Sequence, residues 1–335
     1  MNDERLITLA HGNGGRRMRD LIRDVFVRHL GNGALDANAD AARLLLPAGE
    51  IMITTDGFSV QPLEFPGGDI GSLAVHGTIN DLAVAGALPV HLTLGVFIEE
   101  GFEFARLDRL VASLGRTARA CGVSVVAGDT KVLPRGHGGG LYLTTTGIGV
   151  RTQGLHLGLD AISPGDLILV SGPVGDHGTA VLLAREEFGL SSDLASDAAS
   201  VLPLTRALVD LPGLRFMRDP TRGGLATVAH EIAVARSLSL RLREADIPLR
   251  DPVRSVCEML GYDPLYLACE GRVVAVVAPA DAAAALARWR ALPQGEHAQI
   301  IGTVEAGRPQ VVLETELGGE RIIEELEDEP LPRIC

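Results

Sequence analysis

Residues 71–87 read GSLAVHGTINDLAVAGA. From Gly71 to Ala85 the run is made of small and aliphatic residues with no proline, which predicts a helix. Its single acid, Asp81, gives that helix one carboxylate in an otherwise apolar setting. Around it, β-branched runs bounded by glycine or aspartate predict strands at Ile51–Thr54, Val123–Ala127, Leu141–Val150, Leu167–Ser171, Arg272–Ala278, Ile300–Val304 and Gln310–Leu313. Helical spacing predicts further helices at Met18–Leu30, Arg106–Cys121, Gly178–Phe188, Gly223–Arg236, Pro252–Leu260 and Asp281–Arg290, with Thr221 as a candidate cap for the helix from Gly223. The fold class is mixed α+β (α/β). Periodicity lapses in RTQGLHLGLDAISPGD (Arg151–Asp166), so we divide the chain into residues 1–152, 153–323 and a flexible tail, 324–335.

The chain has 335 residues, 46% of them hydrophobic, which predicts a folded protein with a substantial core. Forty-three acids against 30 basic residues give a net charge of -13, which argues against nucleic acid and an anionic membrane surface as partners. No apolar run is long enough to span a bilayer, and the N-terminus has no signal-peptide pattern, so the expected location is the cytoplasm. Cys121, Cys257 and Cys269 sit in apolar segments and read as small buried hydrophobes, whereas Cys335 is the last residue of the sequence. Trp289 reads as a half-buried helix residue. Of the 30 basic residues 29 are arginine, which leaves Lys131 as the only lysine.

Neither a P-loop nor a strand-linked G-x-G-x-x-G is present, so a nucleotide would have to be held by other means. Asp56 in TTDGF, Asp81 in GTINDLAVAGA, Asp129 in VAGDTK and Asp219 in DPTRGG sit at strand ends or glycine-flanked turns. Each alone is an ordinary turn or cap aspartate. Together they suit magnesium, which takes hard carboxylate oxygens and shares its shell with water and phosphate. The glycine-rich HGNGGR (His11–Arg16), with Gly12 and Gly14, and GHGGG (Gly136–Gly140) bring backbone N–H groups within reach of phosphate, or are plain surface loops.

These segments, with SGPVGDHG, PVRSVCEMLGYDPLYLACEGR and the final PRIC, resemble in this order the hydrogenase-maturation family within the superfamily of aminoimidazole ribonucleotide synthetase and selenophosphate synthetase. The resemblance runs from His11 to Cys335. It implies a two-domain fold in which N-terminal sheets of two copies pair in a homodimer around ATP and Mg2+, with Asp56, Asp81 and Asp129 on the metal and Asp219, Gly12 and Gly14 at the nucleotide. It implies a reaction in which the carbamoyltransferase HypF loads Cys335, ATP drives dehydration of the thiocarboxamide to a thiocyanate, and the cyanide passes to the HypC–HypD complex for a nickel–iron hydrogenase. Catalytic roles then fall on Cys335, Lys131, Glu270 and His137. Two other readings stay open: a small-molecule kinase or synthetase indifferent to Cys335, and a non-catalytic thiol carrier. The tail Glu324–Cys335 carries five acids and one arginine, and its prolines disfavour helix.

Overall fold

A computed structural model describes residues 6–185, 189–190, 192–328, 331 and 334–335. The expectations that rest on Phe188, Pro330, Pro332 and Arg333 lie outside the described residues. A 3-10 turn (Leu9–His11) leads into α1 (Arg16–Leu21), which continues through a π-helical stretch (Ile22–Val27) into α2 (Arg28–Leu30). Strand β1 (Glu50–Phe58) is followed by the short hairpin β2 (Glu64–Phe65) and β3 (Gly68–Asp69), then α3 (Ile70–Val84), β4 (Ala87–Glu99), α4 (Phe104–Ala120), β5 (Ser124–Leu133) and β6 (Leu141–Arg151). These strands form a sheet in the order β1-β6-β4-β5, in which only β4 and β5 are parallel.

The second sheet takes β7 (Leu167–Val170), β8 (Leu214–Arg218), β9 (Ser239–Arg243), β10 (Val274–Val277), β11 (Gln299–Glu305), β12 (Gln310–Glu314) and β13 (Glu320–Ile323) in the order β13-β12-β9-β11-β7-β10-β8. Helices α5 (Asp176–Ala184), α6 (Leu202–Arg206), α7 (Gly224–Arg236), α8 (Asp251–Leu260) and α9 (Pro279–Arg290) complete it. All four residues of β10 are buried because separate apolar clusters cover both faces of this sheet. That two-sided burial explains the unbroken VAVV run. The first sheet is one-sided: along β1 half-buried residues alternate with exposed ones, and Ile51 and Ile53 project from the uncovered face.

Helix α3 lies against the first sheet and holds the molecule's centre. Asp69 caps it by accepting from the backbone N–H of Ser72 at 2.9 Å, while Ser72 Oγ accepts from the Asp69 N–H at 3.0 Å. Its small residues permit close approach: a Cβ at Gly71 would stand 2.3 Å from the Leu110 carbonyl oxygen on α4. Asn80 ties it to the second domain, donating to the carbonyls of Ala199 and Glu270 at 3.0 and 3.1 Å and accepting from Val201 N–H at 2.9 Å.

The mixed α+β class is observed, and each of the seven expected strands is present, but β2, β3, β4, β8, β9 and β13 add to them. Three expectations are corrected. Trp289 is fully buried and donates to the Leu204 carbonyl at 3.0 Å, since the helix around it packs into the second core. The residue that caps α7 is Gly223, in a left-handed conformation, and Thr221 contributes only its carbonyl, to Gly224 N–H. Cys121 is half-buried, while Cys257 and Cys269 are buried as expected. No helix among the described residues is long and apolar enough to cross a membrane.

Candidate active site

Four acidic side chains meet where the two domains touch. Asp56 projects from β1 toward α3, where its Oδ2 would lie 3.6 Å from a Cβ at Gly77. Asp81, on α3, accepts a hydrogen bond from Thr54 Oγ1 at 2.8 Å. Asp219 follows β8 and Glu270 precedes β10; both are buried, at 6% and 2% exposure. Burial raises the pKa of all four, and neighbouring carboxylates raise Asp56, Asp219 and Glu270 further: Asp219 reaches about 7, with Asp81 as the first charged neighbour against it. Glu270 is pushed well above the carboxylate range, first by burial and then by Asp219, Asp197, Asp56 and Asp81. Its backbone is rigid, because Asp197 accepts from the N–H groups of Glu270 and Gly271 at 3.1 and 3.3 Å and pairs with Arg272 at 3.3 Å.

The end of the tail closes this site. Leu331, Ile334 and Cys335 are buried, and they belong to the core cluster of the N-terminal domain. The Cys335 sulfur accepts from Arg222 Nε at 3.0 Å, and a main-chain oxygen of Cys335 accepts from Ser59 N–H at 2.9 Å. His177 Nε2 donates to the Ile334 carbonyl at 2.8 Å. Burial, and then the charge of Glu270, push the thiol up to about 12, against the opposing pull of Arg222. The docked sulfur is therefore a protonated thiol at neutral pH and a poor nucleophile. The structure shows the tail's end in this one position.

Other residues singled out by the sequence lie elsewhere in the chain. Asp129 is on β5, the edge strand opposite β1, in register through Gly95 and Thr144 with Gly57. Three strand spacings separate them, roughly 14 Å. Lys131 pairs there with Asp129, Nζ to Oδ2 at 2.9 Å, both side chains more than half exposed. The HGNGGR loop abuts the same strand: a Cβ at Gly12 would meet the Val132 nitrogen at 2.9 Å, and Gly14 takes a φ of 74° that favours glycine. His137 is exposed at the tip of a loop whose Gly136 and Gly140 N–H groups donate to Glu99 at 2.5 and 3.0 Å. The chain thus carries two half-sites. Asp56, Asp81, Asp219, Glu270 and Cys335 fall in one candidate half-site and Gly12, Gly14, Asp129 and Lys131 in the other, while the loop of His137 contacts Gln61, whose Nε2 donates to the Gly139 carbonyl at 2.9 Å. Sequence reasoning passed over Arg222, although it stands in DPTRGG three residues from Asp219, and over Asp197, which has no motif.

In the first half-site, desolvated carboxyl groups that repel one another, opposed by Arg218 and Arg222, suit a hard divalent ion. Among the described residues, no three His, Cys, Asp or Glu side chains stand close enough to hold a metal alone. The set fits an ion that arrives with phosphate oxygens in its shell, as magnesium does.

Residues 38–151 match the model of the N-terminal domain of AIR synthase related proteins, and residues 163–314 match that of their C-terminal domain. The carbamoyl dehydratase HypE of Azotobacter vinelandii is 49% identical over 331 residues, 98% of this chain and 97% of that protein. A solved structure of the hydrogenase maturation protein HypE in complex with ATP superposes with a TM-score of 0.93 at 45% identity, covering 98% of this chain and 99% of the other. A chain of a solved HypE–HypF complex gives 0.80 at 41% identity, covering 92% and 99%.

Proposed function

The chain belongs to the HypE family of carbamoyl dehydratases, and from that premise we propose that it uses ATP to dehydrate a carbamoyl group carried on the Cys335 sulfur, turning a thiocarboxamide into a thiocyanate. The observation that carries this reading is the seat of Cys335, whose sulfur lies against Arg222 and within the field of Glu270 in a buried site. An amide oxygen is a poor leaving group. Transfer of the γ-phosphoryl group to that oxygen makes it a phosphate ester; the C–O bond then breaks, both N–H protons are lost, and ADP and phosphate leave with the nitrile formed. Glu270 is suited to take a proton from nitrogen, because burial among other carboxylates raises its affinity for a proton above that of an ordinary carboxylate. Arg222 orients the sulfur and so the carbamoyl carbon attached to it.

Asp56, Asp81 and Asp219 would hold magnesium, which when bound neutralises charge developing on the transferred phosphoryl group. Asp129, Lys131, Gly12 and Gly14 would complete the site from a second copy of the chain. Two features support that homodimer: the separation of the half-sites, and the exposure of Ile51, Ile53, Leu88 and Phe97 on the first sheet. Loading of the thiol by HypF requires a tail position other than the docked one, since the docked thiol is buried and held protonated. The thiocyanate would then be delivered to the HypC–HypD complex, in the cytoplasm. The test is the mass of the C-terminal peptide after incubation with HypF, carbamoyl phosphate and ATP. A carbamoyl adduct that loses one water only with ATP supports the dehydratase; an adduct that never loses water would leave a thiol carrier in its place.

A further inference from the structure

His177 is the second residue of α5, in SGPVGDHG, and the mechanism above makes no use of it. It is completely buried, and the edge of its ring meets Phe65 with centroids 5.4 Å apart. A core histidine satisfied by its own domain would need no further account. Here Nε2 serves the tail: it donates to the Ile334 carbonyl at 2.8 Å, the last peptide group before the sulfur-bearing residue. Nδ1 lies 2.8 Å from Ser196 Oγ, which also accepts from Ala198 N–H at 3.0 Å. Because a carbonyl accepts only, Nε2 must carry the proton, and the Ser196 hydroxyl donates to Nδ1 and fixes that tautomer. Ser196 is itself held by its N–H to the Pro66 carbonyl at 2.8 Å. Burial lowers the ring's pKa, which keeps it neutral and the arrangement single-valued.

We infer that His177 is a positioning residue: it holds the Ile334 carbonyl while Ser59 holds a main-chain oxygen of Cys335, and together they set where the Cys335 sulfur comes to rest between Arg222 and Glu270. The inference rests on the reading of Cys335 as the substrate carrier. Its energetic sense follows from the tail's need to leave. The docked end is held by its buried Leu331, Ile334 and Cys335 side chains together with these few hydrogen bonds, and loss of one such bond with the carbonyl left buried and unpaired shifts docking by about tenfold or more.

The test is alkylation of the full-length protein with iodoacetamide, read site by site in peptide masses. His177→Phe keeps the ring and its contact with Phe65 but has no donor; His177→Gln keeps a donor near Nε2. His177→Phe is expected to speed alkylation of Cys335 by about tenfold with Cys121 unchanged, and His177→Gln to stay near the wild type. Equal Cys335 rates in wild type and His177→Phe overturn the inference. Should His177→Phe also speed Cys121, by loosening the core, Ser196→Ala decides. It frees the tautomer without emptying the ring site, and a rise at Cys335 alone supports the grip, while no rise overturns it. On carbamoyl-loaded protein with ATP, His177→Phe should slow loss of water by about tenfold with ATP affinity unchanged, and an unslowed rate overturns the positioning role. If the loaded wild type never loses water, the dehydratase reading fails, and the alkylation rates still judge the grip.

Discussion

Cys335 sits where chemistry and packing make different demands. As a thiol it packs in the N-terminal core cluster at 9% exposure; as a thiolate it would face Glu270 and Asp56. Cys335→Ala should abolish both carbamoyl loading and nitrile formation, read by mass. It should also cost roughly 1 kcal/mol of stability in denaturant titration, since a buried sulfur and its hydrogen bond are lost. Asp81→Asn keeps shape and the acceptor for Thr54 Oγ1, yet removes a hard anionic ligand. Calorimetry should find magnesium–ATP affinity reduced at least about tenfold with thermal stability unreduced. Asp176 offers a pH test away from the proposed metal ligands. Burial, then Asp197, raise it to about 6 despite ion pairs to Arg250 and Arg272. Because the folded state holds this proton more tightly than the unfolded one, its contribution is fully present below about pH 4 and is lost as pH rises through about 6. Asp176→Asn should therefore flatten the fall in stability between pH 4 and pH 6 by on the order of 2 kcal/mol, measured by urea unfolding at both pH values.

Among the elements, α3 carries the most consequence, and it was the most legible. A run of small and aliphatic residues without proline marks a helix, and the helix is there, with Asp81 on it accepting from Thr54 of β1. Gly71 is there because α4 approaches within contact of it. Gly71→Ala should cost about 1–3 kcal/mol in denaturant midpoint, as an added methyl would press on a backbone carbonyl that cannot rotate away. Strand β4, the longest in the protein at 13 residues, escaped sequence reading for the opposite reason. It has no continuous β-branched run like those that marked the other strands; instead Val90, Leu92, Leu94, Val96 and Ile98 alternate with His91, Thr93, Gly95 and Phe97 behind Pro89, the pattern of a one-sided strand, and long pairings with β5 and β6 hold it. The tail shows the same limit. Its acids and prolines describe a segment unable to fold alone, but the seat that Ser59, His177 and Arg222 make for Cys335 comes from three distant parts of the chain. Of the candidate site, motif residues were legible one by one; which of them meet was not, because strand order decides it.

At the scale of the whole molecule, strand order divides the residues of the proposed reaction into two sets that one chain does not bring together. Asp56, Asp81, Asp219, Glu270 and Cys335 line the interdomain side near β1, while Asp129 and Lys131 ride the far edge strand with the Gly12 loop beside them. If two copies complete each other's sites, a defect in one set is compensated by a chain defective only in the other. Lys131→Arg keeps the charge but not the compact ammonium, and it should slow nitrile formation at least about a hundredfold by itself. Glu270→Gln should do the same through loss of the base. Mixed and allowed to re-equilibrate, equal amounts of the two variants form mixed dimers in about half of the population, each with one site whose lysine and glutamate are both native. Dehydration should then recover to about a quarter of the wild-type rate, followed as water loss from carbamoyl-loaded tail peptide after exchange. Recovery on that scale cannot arise from a site built within one chain, because no single chain in the mixture carries both native residues. A mixture as inactive as its components, with exchange verified by mass, would place Lys131 and Glu270 in the same protomer's chemistry and overturn the composite site.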